Sequence, residues 1–199
     1  MASLSRRLLL PFLLSLALAG CATTDQPAAP QPTAEERARA EQLATAKRFL
    51  HSWGAGELAL ETLRRTSAEQ ARTQPAAAEM MNRIAARISP DDFETAGAEV
   101  YARHLELAHL QELARFAESA AGNRFFRQIS EAVLAGKKVD GAAFMNAFSS
   151  DELLELMKFS KTPAFAALQR ELPAINRELA EAGRRLGEQA MQQLLREQR

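Results

Sequence analysis

Of the residue types that build reactive sites, this 199-residue sequence holds few. It has one cysteine, one tryptophan, one tyrosine, three histidines and nine glycines. A lone thiol excludes an internal disulfide and a cysteine metal cluster. No HExxH is present, and His104 and His109, five apart, stand about 140° apart around a helix, unlike an i, i+4 chelating pair. There is no GxSxG elbow and no Gly-rich phosphate loop. Neither sign of charge dominates, with 25 basic and 25 acidic residues. The chain thus has no electrostatic reason to bind nucleic acid. No stretch shows the alternation of a strand, and no apolar run reaches the roughly 20 residues of a membrane span.

What is present begins at the amino terminus. Arg6 and Arg7 are the only charges before position 21, and Leu8 to Ala19 form an apolar run broken by Pro11 and Ser15. That is the pattern of a secretory signal segment over residues 1–20. It ends in "LALAGC", with small residues directly before Cys21. This ending resembles the lipobox of bacterial lipoproteins; the alternative is an ordinary signal peptide or uncleaved anchor with a chance cysteine. The resemblance implies a diacylglycerol on the Cys21 sulfur, cleavage before Cys21 and an acylated new amino terminus. One acyl chain anchors only marginally, and two or three hold firmly. Ala22 follows the cysteine, with no Asp there, which by the same resemblance implies sorting to the outer membrane, facing the periplasm. Cys21 is then occupied, and the mature domain has no thiol.

Residues 21–34 form the lipidated cysteine and a tether, with Pro27, Pro30 and Pro32 and no large apolar side chain. Such a segment has nothing to bury and spans about 40 Å in polyproline form. Residues 35–199 suit one all-helical domain. Thr33 and Glu36 match a capping box. A first helix presents Leu43, Ala46, Leu50 and Trp53, with Phe49 beside them, and Gly54 and Gly56 end it. A second runs over about 57–72. Pro75 opens a third, whose apolar face is Met80, Met81, Ile84 and Ile88. "SPDDFE" restarts a helix, with Ser89 as N-cap, Pro90 at N1 and two aspartates on the positive end. From Pro163 a long helix carries Phe165, Leu168, Leu172, Ile175, Leu179, Ala182 and Leu186 at steps of three and four. That seam packs over its own domain or pairs two copies. Pro173 should kink or break it near Leu172.

A repeat lies within the domain. Shifted by 43 residues, "LQELARFAESAA" falls on "LLELMKFSKTPA". Leu113 then matches Leu156, Phe116 matches Phe159, Ser119 matches Thr162 and Phe125 matches Leu168; Tyr101 falls on Phe144. Two similar helical hairpins at that offset would bury their apolar faces together; chance likeness of two amphipathic helices is the alternative. Thr162 followed by Pro163 reads as an N-cap and an N1 proline. By analogy Ser119 is the cap of the helix from Ala120, rather than a nucleophile, and Gly122 admits a close helix approach. The expected fold is an all-α bundle of these two hairpins, with N-terminal helices and a long C-terminal helix.

The stretch "VYARHLELAHLQELARFAESAAGNRFF" resembles the core motif of a bacterial domain-of-unknown-function family, number twenty fifty-nine, whose pattern is a Tyr-bearing helix followed by "ELxxLxxFYxSPxGxKxL". Val100, Tyr101, Glu112, Leu113, Phe116, Ser119, Gly122 and Phe125 stand at matching positions. The likeness covers about residues 40–190. Ala117 replaces a usual aromatic, Ala120 a usual proline, and in the second copy Phe165 stands where glycine is usual. The resemblance implies an exported all-helical protein and no reaction.

No catalytic, cofactor or metal residues are assigned, and the chain is not read as an enzyme. Asp91 and Asp92 suit a helix dipole better than an acid–base pair, and Glu112, Glu118, Glu152 and Glu155 read as solvated. The expected role is a lipid-anchored interaction or structural module. Its partners are the membrane through Cys21, an envelope protein, or a second copy through the C-terminal helix. The alternative is a carrier or sensor of an apolar ligand held between the hairpins.

Overall fold

The computed structural model describes residues 32–136 and 141–197. The expected signal segment, Cys21 and the expected tether through residue 31 lie outside the described residues. Among those described, all regular structure is helical: α1 (Ala34–Ser52), α2 (Ala55–Gln70), α3 (Pro75–Ala85), α4 (Pro90–His104), α5 (Leu107–Ala117), α6 (Ala120–Leu134), α7 (Gly141–Asn146), α8 (Ser150–Phe159) and α9 (Pro163–Glu197). The chain is a multi-helix all-α bundle.

Local chemistry sets most of the starts. The Glu36 amide donates to Thr33 Oγ1 (3.2 Å) and the Thr33 amide to Glu36 Oε2 (2.7 Å), a closed capping box. Ser89 and Asp92 close a second box behind Pro90, and Ser149 and Glu152 a third. Each satisfies amides that have no partner inside the helix. Gly54 turns α1 into α2 with a left-handed backbone (φ 71°), which glycine adopts without steric cost. Gly56 lies inside α2, so Gly54 alone makes the break.

Packing follows the apolar stripes. α1 lies along α4 and α5, α2 against α3 and α4, and α9 runs back over α5, α4 and α3. Phe49, Val100, Leu105, Leu110, Leu113 and Ile175 form the fully buried centre. Buried residues of α1 start at Thr45, while positions 34–41 are exposed. The first two turns of α1 thus extend past the packed body.

Two expectations change. On α3 the buried residues are Ala78 and Ala85, followed by Ile88, while Met80, Met81 and Ile84 are half-buried. Alanine lets α3 approach α2 closely, and the buried Ser67 hydroxyl donates across to the Ala78 carbonyl (2.9 Å). Nor does Pro173 break α9. Pro173 and Gln169 both face solvent, so water can serve the carbonyl that loses its helical donor. Leu168 and Ile175, buried on either side, hold the helix to the bundle. The α9 seam packs within the chain: Leu168, Ile175 and Ala182 are buried, Phe165, Leu179 and Leu186 half-buried, and Leu172 exposed.

Candidate functional site

Ser119 and Thr162 stand at two helix-to-helix corners built alike. The Gly122 amide donates to Ser119 Oγ (3.1 Å), and the Phe165 amide to Thr162 Oγ1 (3.2 Å). The Ser119 amide donates to the Phe116 carbonyl (3.0 Å), and the Thr162 amide to the Phe159 carbonyl (2.9 Å). Asn123 to Ser119 and Ala166 to Thr162 continue the match in the first helical bonds. Helix starts repeat too: Leu107 and Ser150 are 43 apart, as are Ala120 and Pro163. Ser119 Oγ is thus engaged as a cap.

The corners differ in closure. A Cβ on Gly122 would sit 1.8 Å from the Phe116 carbonyl oxygen. Only glycine admits this approach, and α6 folds against α5. At the matching place Phe165 has a bulky side chain. There α8 packs on α6, and α9 packs on α5. Glu112, expected to be solvated, accepts the Ala164 amide at the start of α9 (3.3 Å).

Aromatic rings fill the space between the corners. Phe116 stacks on Phe159 with centroids 3.8 Å apart and planes 11° from parallel. Phe126 packs edge-on to both and to Phe49, and stacks near Trp53. Phe126 is therefore the deep anchor of α6. Phe125, which matches Leu168 in the repeat, is half-buried and meets Phe116 and Phe144. Tyr101 packs edge-on to Phe49 in the core, and burial pushes its phenol up to about 12. Leu113 is fully buried, while Pro163 is exposed at the first position of α9.

The polar candidates do not converge on one centre. Asp92 closes the Ser89 capping box, and Asp91 pairs with Lys47 (2.6 Å), whose hydrogen bond holds its carboxyl below the usual range. Glu118 pairs with Arg48, and Glu152 with Arg124 as well as Ser149. His51 lies on the surface with Nδ1 3.1 Å from Glu94 Oε2, and Glu94 is 3% exposed. His104 contacts Glu171 and Glu178 of α9 rather than His109 or Glu112. No group of three or more His, Cys, Asp or Glu side chains fit to hold a metal ion occurs among the described residues. The local pattern marks neither Glu94 nor the His104 partners, whereas Ser149 and Glu152 carry a capping-box signal in "SSDE".

Two open grooves flank the outer face of α6. One, of about 640 Å³, runs past Ser119, Asn123, Arg124 and Arg127; the other, of about 470 Å³, lies between Leu58, Arg65 and Ala132. They share Gln128 and Glu131 and are predominantly polar, so their chemistry does not suit an apolar ligand. No helix among the described residues is long and apolar enough to cross a membrane. No family model matches the chain, and neither a curated protein nor a solved structure matches it.

Proposed function

We propose that the chain is a lipid-anchored envelope protein whose helical domain acts as an interaction or structural module. Acyl chains on Cys21 hold it at the outer membrane, facing the periplasm. The likeness to domain-of-unknown-function family number twenty fifty-nine belongs to the same reading. The observation that carries the modular role is the ring-on-ring filling between the corners, with Phe116 on Phe159 at 3.8 Å. It supports a solid scaffold over a carrier, because an apolar ligand would need the volume that the rings occupy. Binding then falls to the surface, where Met145, Leu154 and Met157 are each about half exposed.

The two corners are, on this reading, copies of one duplicated unit. Phe116 faces its own counterpart Phe159, the arrangement that a local two-fold relation between copies produces. Gly122 closes the first copy into a hairpin, and Phe165 opens the second, freeing α9 to span the bundle.

Cell fractionation and affinity capture test the proposal. The full chain should enter the outer-membrane fraction and incorporate labelled fatty acid, and Cys21→Ser should abolish both. Capture from detergent-solubilised envelopes should recover one specific protein or a second copy. A chain that stays unacylated in its native host overturns the anchor. Capture of nothing above background, with a monomer by sedimentation, overturns the module.

A further inference from the structure

Arg103 and His104 of α4 both reach carboxylates of α9. His104 ends α4, and its side chain is 17% exposed. Nε2 lies 2.9 Å from Glu178 Oε1, and Nδ1 lies 3.5 Å from Glu171 Oε2. The two carboxylates stand on either side of Pro173 along α9. Both are held by arginines: Glu178 accepts from Arg103 Nη2 (2.7 Å) and Nε (3.1 Å), and Glu171 from Arg170 Nε (2.9 Å). Among the described residues, no charged group of α1, α2 or α5 pairs with His104. α1 contributes the neutral Gln42, whose amide donates to the Ala102 and Leu105 carbonyls at the same helix end.

An ionised carboxylate only accepts hydrogen bonds. A neutral imidazole has one N–H, so it serves one of two flanking carboxylates and turns a lone pair toward the other. The imidazolium serves both. Pro173 has no N–H, so α9 lacks the helical hydrogen bond to the Gln169 carbonyl, beside the span that the two carboxylates bracket. We infer that His104 is a protonation-dependent latch, whose charged ring ties α9 on both sides of its proline to the end of α4.

The sign follows from each partner. The Arg170 hydrogen bond first, and then His104, hold the Glu171 carboxyl below its ordinary 4.5; Arg103 first, and then His104, do the same for Glu178. Their contribution is present above 4.5 and is lost as pH falls through the depressed values. The contribution of the ring is present while both nitrogens carry protons. Removing either proton leaves one carboxylate facing a lone pair, so the ring's contribution is lost as pH rises. The latch is therefore closed while the ring is charged and looser once it is neutral.

Hydrogen exchange on the full chain in detergent tests this, read over residues 163–179 and corrected for the intrinsic pH dependence of exchange. Protection should fall about tenfold from pH 5.5 to pH 8, the scale of one charge-assisted hydrogen bond. His104→Gln, which cannot titrate, should remove the step. Glu171→Gln leaves one carboxylate, which a neutral ring can still serve, and should shrink the step to about twofold or less on the same scale. Protection independent of pH in the wild-type chain overturns the latch. So does a full step that survives in folded His104→Gln, which would move the effect to His51 or His109. Should His104→Gln fail to fold, a full step retained by Glu171→Gln overturns it equally.

Discussion

Phe116 and Phe159, 43 positions apart in the chain, lie face to face in the hydrophobic core, with ring centroids 3.8 Å apart. Phe116 is the penultimate residue of α5, and Phe159 the last of α8, each just before a corner. The contact joins the two corners directly, so its loss should be felt at both. Phe116→Ala and Phe159→Ala should each cost about 3–5 kcal/mol. A double-mutant cycle by urea unfolding should give a coupling of about 0.5–1.5 kcal/mol beyond simple burial. Strict additivity of the two losses would mean that the rings act independently.

Gly122 makes a steric prediction with an internal control. In Gly122→Ala the new methyl meets the Phe116 carbonyl at 1.8 Å, backbone that cannot swing away. The α5–α6 corner must open, at a cost of about 2–3 kcal/mol. Gly183→Ala, inside α9 with nothing within 4 Å of the added carbon, should instead gain about 0.5–1 kcal/mol. Equal effects of the two changes in chemical denaturation would remove the close-approach argument.

The capping hydroxyls are the next test. Ser119→Ala and Thr162→Ala each leave a first-turn amide without its side-chain acceptor, a loss of about 1 kcal/mol. For a domain of this size, that lowers the melting temperature by about 2–4 °C. Ser119→Asp should restore most of it, because aspartate also caps and suits the positive helix end. An unchanged melting temperature in both alanine variants would deny the hydroxyls that role.

Tyr101 sets an alkaline limit. Burial favours the neutral phenol and raises its folded value from 10.0 to about 12. The raised value means that the stabilisation is fully present below pH 10 and is lost as pH rises toward 12. Over two units that is about 3 kcal/mol. Tyr101→Phe has no ionisable hydroxyl, so its unfolding free energy should stay flatter between pH 9 and 11 than that of the wild-type chain. Parallel profiles would place the alkaline sensitivity elsewhere.

How far the chain could be read without coordinates varies from place to place. The box at Thr33, the caps at Ser89 and Ser119 and the proline starts at Pro75 and Pro163 are all visible in short stretches. Each depends on groups within one helical turn. The choice of Phe126 over Phe125 as the deep anchor was not visible, since adjacent aromatics offer two faces and rings from α1, α5 and α8 together select one. Nor was the burial of Glu94, or the use of Ala78 and Ala85 where the methionines beside them looked the better core. That α9 continues through Pro173 was not visible either, because the proline's cost is local, while the burial of Leu168 and Ile175 that offsets it depends on the helices α9 packs against.

By itself the sequence determined the helical class, the punctuation of most helices and the likeness of the two corners, because capping and 3.6-residue periodicity act over a few residues of contiguous chain. Only the tertiary structure decided that Phe116 meets Phe159, that Gly122 closes one corner while α9 leaves the other, and that His104 lies between Glu171 and Glu178. Those pairings join side chains more than 40 residues apart, except at Gly122. They depend on the angles and distances at which packed helices cross, which no local pattern encodes.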